Sequence, residues 1–294
     1  MYVKPTAPRS IGGIVDDGIK LYSSAFAKSW PLALLTQVLL AGPALILRYQ
    51  FAGLQVSVAN PQATLAIFRS PGVWLSYIVM VIVFAGCYNA LIVLLDGVAT
   101  ATPKSFGRSL AAGFRLMPRT ILLYVVMWLA LFVVGIVGAI LVGVLSGVLG
   151  SLVSPMISAG IVWVVFCGLL IYILGRLFLS NVALVVENTG VFKSLGTGWA
   201  LIGNNWWRTA TIYTMGLIIA VVFYFVIGFV NALLVGVTLQ AFGMRTILAQ
   251  LVSIAGGTVL MSLVPAVLLA MYYDLKLRKE GTDLAGRVSA LAAR

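Results

Sequence analysis

The sequence predicts an all-α integral membrane protein, with six transmembrane helices as three hairpin repeats and a cytoplasmic interfacial amphipathic helix before each hairpin. Three observations predict it. The 294 residues are 62% hydrophobic and only 9% charged, whereas a soluble domain carries about 25% charged residues. Six apolar stretches reach the roughly 20 residues that a helix needs to cross a bilayer. The polar segments between them sort by charge onto two sides.

The six runs lie at 30–48, 73–95, 120–149, 157–185, 209–239 and 246–273. Hydrocarbon cannot satisfy an open backbone, and the runs lack the in-and-out alternation of barrel strands, so helices are the expected form. The third, fourth and fifth runs exceed the hydrocarbon thickness and should tilt or project. Residues 1–28 contain no uninterrupted apolar stretch, so no cleavable signal peptide is expected.

Lysine and arginine fix the orientation. Of the nineteen, all but Arg48, Arg69 and Arg245 fall on one side, together with every one of the seven acids. The positive-inside bias then places both termini in the cytoplasm, with 275–294 as a cytoplasmic tail. Trp30, Tyr49, Trp74, Trp206, Trp207, Tyr272 and Tyr273 stand at the run ends as an aromatic belt. Trp128 and Trp163 lie deeper, as packing or lipid contacts.

The repeat rests on three tetrapeptides, Arg9-Ser10-Ile11-Gly12, Lys104-Ser105-Phe106-Gly107 and Lys193-Ser194-Leu195-Gly196. The second and third each lead, fifteen residues after their lysine, to Arg119-Thr120 and Arg208-Thr209. One membrane domain of three units follows, near 1–97, 98–187 and 188–294. The segments after the tetrapeptides have helical periodicity, Ile11, Ile14, Val15, Ile19, Tyr22 and Phe26 recurring on one side and Asp16, Asp17 and Lys20 on the other. Phe106, Leu110, Phe114 and Met117 repeat the pattern, with Arg108 and Arg115 on another face. The serines are candidate helix caps. Such helices lie in the inner interface, either as structural elbows or with Lys104, Arg108, Arg115, Arg119, Lys193 and Arg208 engaging anionic headgroups or an acidic partner.

Inside the runs, Gly135, Ala139, Gly143 and Gly147 form a small-residue ridge of the kind that lets helices approach closely. Asn89, Asn181 and Asn231 are the candidate intramembrane polar groups. No lysine, arginine or acid falls near the midplane, which disfavours ion-coupled transport. Arg176 reaches the inner interface, where Glu187 has Arg176, Lys193 and Arg208 as candidate partners in a structural latch.

Chemistry is restricted by what is missing. The chain has no histidine, and its seven acids are Asp16, Asp17, Asp96, Glu187, Asp274, Glu280 and Asp283. The commonest general base and metal ligand are therefore absent, and Cys87 and Cys167 have no metal-binding spacing. No catalytic, cofactor-binding or metal-binding residue is predicted. The net charge of +12 belongs to loops facing an anionic membrane surface rather than to nucleic acid.

Val186-Glu187-Asn188, Ser194, Trp199, Asn205-Trp206-Trp207-Arg208 and the tail Tyr272-Tyr273-Asp274-Leu275-Lys276-Leu277-Arg278-Lys279-Glu280-Gly281 resemble the membrane domain associated with bacterial glycerophosphoryl diester phosphodiesterases. Ser10-Ile11-Gly12 with Leu21-Tyr22 is similar to its start. The resemblance implies a helical bundle of the bacterial inner membrane, standing alone without the soluble catalytic domain, so the hydrolase activity does not carry over. The expected role is a non-catalytic accessory or scaffold protein that engages anionic lipid or a membrane protein partner. The alternatives are a permease-like protein for an amphipathic or lipid-derived solute, lined by the three asparagines, and a membrane enzyme built on Asp96, Glu187 and Asp274.

Overall fold

A computed structural model describes residues 2, 4–50, 69–150, 154–237 and 242–292. All regular structure among them is helical: α1 (Ile11–Gln50), α2 (Pro71–Ala99), α3 (Phe106–Gly150), α4 (Pro155–Phe178), α5 (Ser180–Glu187), α6 (Val191–Ile202), α7 (Trp206–Val237) and α8 (Phe242–Ala292). Among the described residues, four stretches are long and apolar enough to cross a membrane: Pro71–Ala99, Phe106–Leu141, Trp206–Leu233 and Leu248–Gly281. They fit a membrane-embedded protein. The first predicted run lies on α1, where the side chains of 43–50 are outside the described residues, as are those of Tyr49, Arg48 and Arg245.

The chain forms two compact units, Met1–Pro118 with Thr211–Arg294, and Arg119–Ala210. In the first unit, α1 packs on α8 and α2. Leu32 and Ala33 meet Ala90 and Leu91 in a fully buried cluster, flanked by Leu110 and Met261. Glycine sets the close approaches. A Cβ on Gly18 would lie 2.8 Å from the Val267 Cα, and one on Gly113 would lie 2.4 Å from the Gly86 carbonyl oxygen and 2.5 Å from the Ala90 nitrogen. Only the absent side chain permits backbone contact of this kind.

In the second unit, Ser154 stands at the start of α4 with Pro155 in the first helical turn, where a missing N–H costs nothing. Arg176 occupies the last turn, on the side that the helix dipole favours for a cation. The fourth predicted run is divided at Leu179, between α4 and α5. Asn188 ends α5 in the left-handed region, φ 49°, a conformation asparagine tolerates better than most side chains.

Several expectations are corrected. The first two basic segments are not separate helices: residues 11–26 run on into the apolar part of α1, and 106–117 continue through Pro118 along α3. Only α6 is set apart, by the turn at 203–205. The tail likewise continues α8 to Ala292, because no glycine or proline interrupts the chain at Asp274. Ser10 does cap α1, accepting the Gly13 N–H at 3.1 Å. Ser194 instead lies inside α6, buried, and donates to the Val191 carbonyl.

Asp17, expected on the exposed side, is 8% exposed, while Ile19 of the apolar set is exposed. The reason is that α8 lies against Gly18 and covers the flank of α1 that carries Asp17. Tyr272 and Tyr273 are core residues rather than belt residues. Trp30, Trp74, Trp128 and Trp163 are exposed, Cys87 is buried and Cys167 exposed, both as free thiols.

Candidate functional site

The second unit carries the most unusual arrangement. The Arg176 guanidinium lies 4.7 Å from the Tyr172 ring centre and 4.6 Å from that of Trp199. Tyr172 in turn meets Trp206 edge to face at 4.6 Å. Two glycines make this possible: a Cβ on Gly175 would lie 2.5 Å from the Trp206 ring, and one on Gly198 would lie 2.4 Å from Ser180 Oγ. Arg176 Nη2 donates to the Gly203 carbonyl at 3.4 Å. The partners of Arg176 are thus aromatic faces and a carbonyl, and Glu187 is not among them. The predicted latch between Arg176 and Glu187 is corrected accordingly: Trp199, one turn before the end of α6, occupies the face of the guanidinium. Cation–π pairs of this geometry contribute about 0.5–2 kcal/mol.

The predicted basic residues separate into free-standing and engaged groups. Lys104, Arg108 and Arg115 are exposed, and Ser109, Gly113 and Leu116 on another face of α3 are buried. Lys193 is exposed on α6 beside Phe192, which is 76% exposed, and Trp199 at 44%; Trp207 at the start of α7 reaches 82%. Arg119 is engaged, donating from Nη1 to Asn188 Oδ1 at 3.0 Å. Arg208 is half-buried.

The small-residue ridge of α3 is open within the 119–210 unit. A Cβ on Gly135, Gly143 or Gly147 would meet nothing within 4 Å, and the glycine in close contact is Gly138, against the Phe166 ring. Gly135, Ala139 and Gly143 line an apolar groove of about 800 Å³ with Trp128, Trp163 and Phe166. Phe166 props against Gly138, next to the ridge, and leaves the ridge itself uncovered within this unit.

Each of the three amides makes a hydrogen bond to a neighbouring helix. Asn89 donates to the Gly113 carbonyl at 3.5 Å and Asn231 to Ser253 Oγ at 3.4 Å. Asn181 accepts from Thr120 Oγ1 at 3.5 Å. Each is used at a separate helix contact, the arrangement expected of interhelical hydrogen bonds.

In the first unit a polar cluster escaped the sequence reading. Asp274 is 1% exposed; its Oδ1 accepts the Arg9 backbone N–H at 2.7 Å and its Oδ2 accepts Arg278 Nε at 2.8 Å. Arg278 also donates to the Arg9 carbonyl at 2.8 Å. Tyr273 donates to Asp96, and Lys4 lies 4.1 Å from the Tyr273 ring centre. Tyr2 is buried. Burial pushes its hydroxyl up to about 12, helped by the Asp17 charge and opposed by Arg9. The Asp17 carboxyl is also raised, chiefly by burial, with Arg9 pulling the other way from 3.6 Å. Residues 4–10 therefore form a strap pinned to α8. Outside helices there is no periodicity to read, and the pairing of Arg9 with Asp274 spans nearly the whole chain. Asp96 and Asp274 both act in structural hydrogen bonds, and no group of three metal-ligating residues converges among the described residues.

No family model, no curated protein and no solved structure matches this chain.

Proposed function

We propose that the chain is a non-catalytic accessory protein of the bacterial inner membrane, related to the phosphodiesterase-associated membrane domain, which holds an anionic leaflet surface through its basic segments. In this reading six spans run as three hairpins with both termini in the cytoplasm. The observation that carries it is the joint exposure on α6 of Phe192, Trp199 and the cation Lys193. Aromatic rings with a neighbouring cation are the side chains that a headgroup interface accommodates best. Arg108 and Arg115 on α3 offer the same charge, and each cation near such a surface contributes about 1 kcal/mol.

Glycine packing supports the threefold repeat. Gly18 and Gly113 stand eight residues after Ser10 and Ser105 and rest on α8 and α2; Gly198, four after Ser194, rests on α5. Each basic segment thus lies on the end of another apolar run.

Thermal unfolding in nanodiscs tests the proposal. Phosphatidylcholine discs containing phosphatidylglycerol should raise the Tm by several degrees over phosphatidylcholine alone, and added salt should erode the gain. Replacing Lys104, Arg108, Arg115 and Lys193 together with Gln should remove most of it. An equal gain in that variant rejects the surface reading.

A further inference from the structure

Arg176, through Trp199 and Met127, leads to an apolar groove, a second and more specific feature confined to the 119–210 unit. The guanidinium is stacked against two aromatic rings. Its Nε is enclosed with no hydrogen-bond partner, its contact to Gly203 is long at 3.4 Å, and no carboxylate among the described residues lies in salt-bridge range of it. A partly dehydrated guanidinium without a counter-charge is costly. A guanidinium is a planar fork of donors, and a phosphate is the anion that such a fork matches bidentately.

The space next to this cation is apolar. Trp199, which stacks on Arg176, also walls a hollow of about 280 Å³ together with Leu177 and Met127. Met127 is shared with the larger groove of about 800 Å³, a volume typical of small-molecule sites. The groove follows α3 from Tyr124 to Gly143, about 28 Å at 1.5 Å per residue, against a hydrocarbon core of about 30 Å. A soluble anion would satisfy Arg176 and leave the groove unfilled. A zwitterionic lipid would fill the groove and bring a second cation to Arg176. An anionic headgroup on an acyl chain fits both ends.

We propose that the 119–210 unit holds one anionic phospholipid per chain, its phosphate on Arg176 and an acyl chain in the groove past Met127 towards Gly135 and Gly143. This goes beyond diffuse attraction of a basic surface, since it requires a fixed stoichiometry and none of Lys104, Arg108, Arg115 or Lys193.

The full chain, purified in detergent, is incubated with phosphatidylglycerol or with phosphatidylcholine of identical acyl chains, and retained lipid is counted by native mass spectrometry. One phosphatidylglycerol should bind at least tenfold more tightly than phosphatidylcholine. Arg176→Gln should erase that preference. Gly135→Leu with Gly143→Leu, where a Cβ meets nothing within 4 Å, should fill the groove and weaken both lipids about tenfold with Arg176 intact. Soluble glycerol phosphate should not displace the lipid. The proposal is overturned if Arg176→Gln retains the preference, if the groove-filled variant binds as before, or if glycerol phosphate competes. Should Arg176→Gln fail to fold, the groove variant decides alone. The fourfold Gln variant should keep this lipid, so failure of the surface reading and failure of the site are separate results.

Discussion

Arg278 donates from Nε to Asp274 Oδ2 at 2.8 Å, one helical turn away, at a carboxylate that is almost wholly buried. The same carboxylate takes the backbone N–H of Arg9, so it ties the strap to α8 alongside the bond from Arg278 to the Arg9 carbonyl. Asp274→Ala leaves the Arg9 N–H and Arg278 without their acceptor. Breaking a buried pair costs about 3–5 kcal/mol; with Arg278 partly exposed, about 2–3 kcal/mol is expected. Denaturant or thermal unfolding in detergent checks this, and Asp274→Asn, which keeps an acceptor, should lose less.

Asp17 gives a pH dependence of defined sign. Burial raises its carboxyl above the ordinary 3.8, so the folded chain binds its proton more readily than the unfolded chain. The group's stability contribution is complete below the unfolded value and is lost as pH rises through the folded value. At pH 7, Asp17→Asn should therefore match or exceed the wild-type Tm. The advantage should shrink on acidification towards the unfolded value. A lower Tm for the variant at pH 7 would mean that the Arg9 contact outweighs the burial penalty.

Gly113 and Gly135 should separate sharply. A methyl group at Gly113 runs into the Gly86 carbonyl and the Ala90 nitrogen, which are backbone atoms and cannot rotate aside. Gly113→Ala should cost about 1–3 kcal/mol by overpacking, opening the α2–α3 contact that also carries Asn89. Gly135→Ala, with open space around it, should be neutral or slightly stabilising through helix propensity. Parallel melting curves in one detergent compare them.

These contrasts also mark what was legible in the sequence. Four long apolar helices were, because hydropathy over 20 residues is a bulk property that does not depend on neighbours. The exposure of Lys104, Arg108, Arg115 and Lys193 was equally readable from charge. Which small-residue face is covered was not: four-residue spacing finds Gly135, Ala139 and Gly143, but only the position of Phe166 decides that Gly138 is the one in contact. Asp17 was misplaced because helical periodicity describes one helix, and its burial comes from α8, some 250 residues away in sequence. The Arg176 site was half visible. Its cation stood out and Tyr172 did not, and the choice of Trp199 over Glu187 depends on how α6 folds back on α4. The break at Leu179 has no glycine or proline to announce it.

The proposed function depends on both chain ends facing the cytoplasm. With Cys87 and Cys167 replaced by Ala, single cysteines at Thr6 and at Glu280 can be labelled with a membrane-impermeant maleimide in intact cells and in inverted vesicles. Both positions should be protected in cells and labelled in inverted vesicles. Labelling of one end in cells and the other only after inversion would contradict the account.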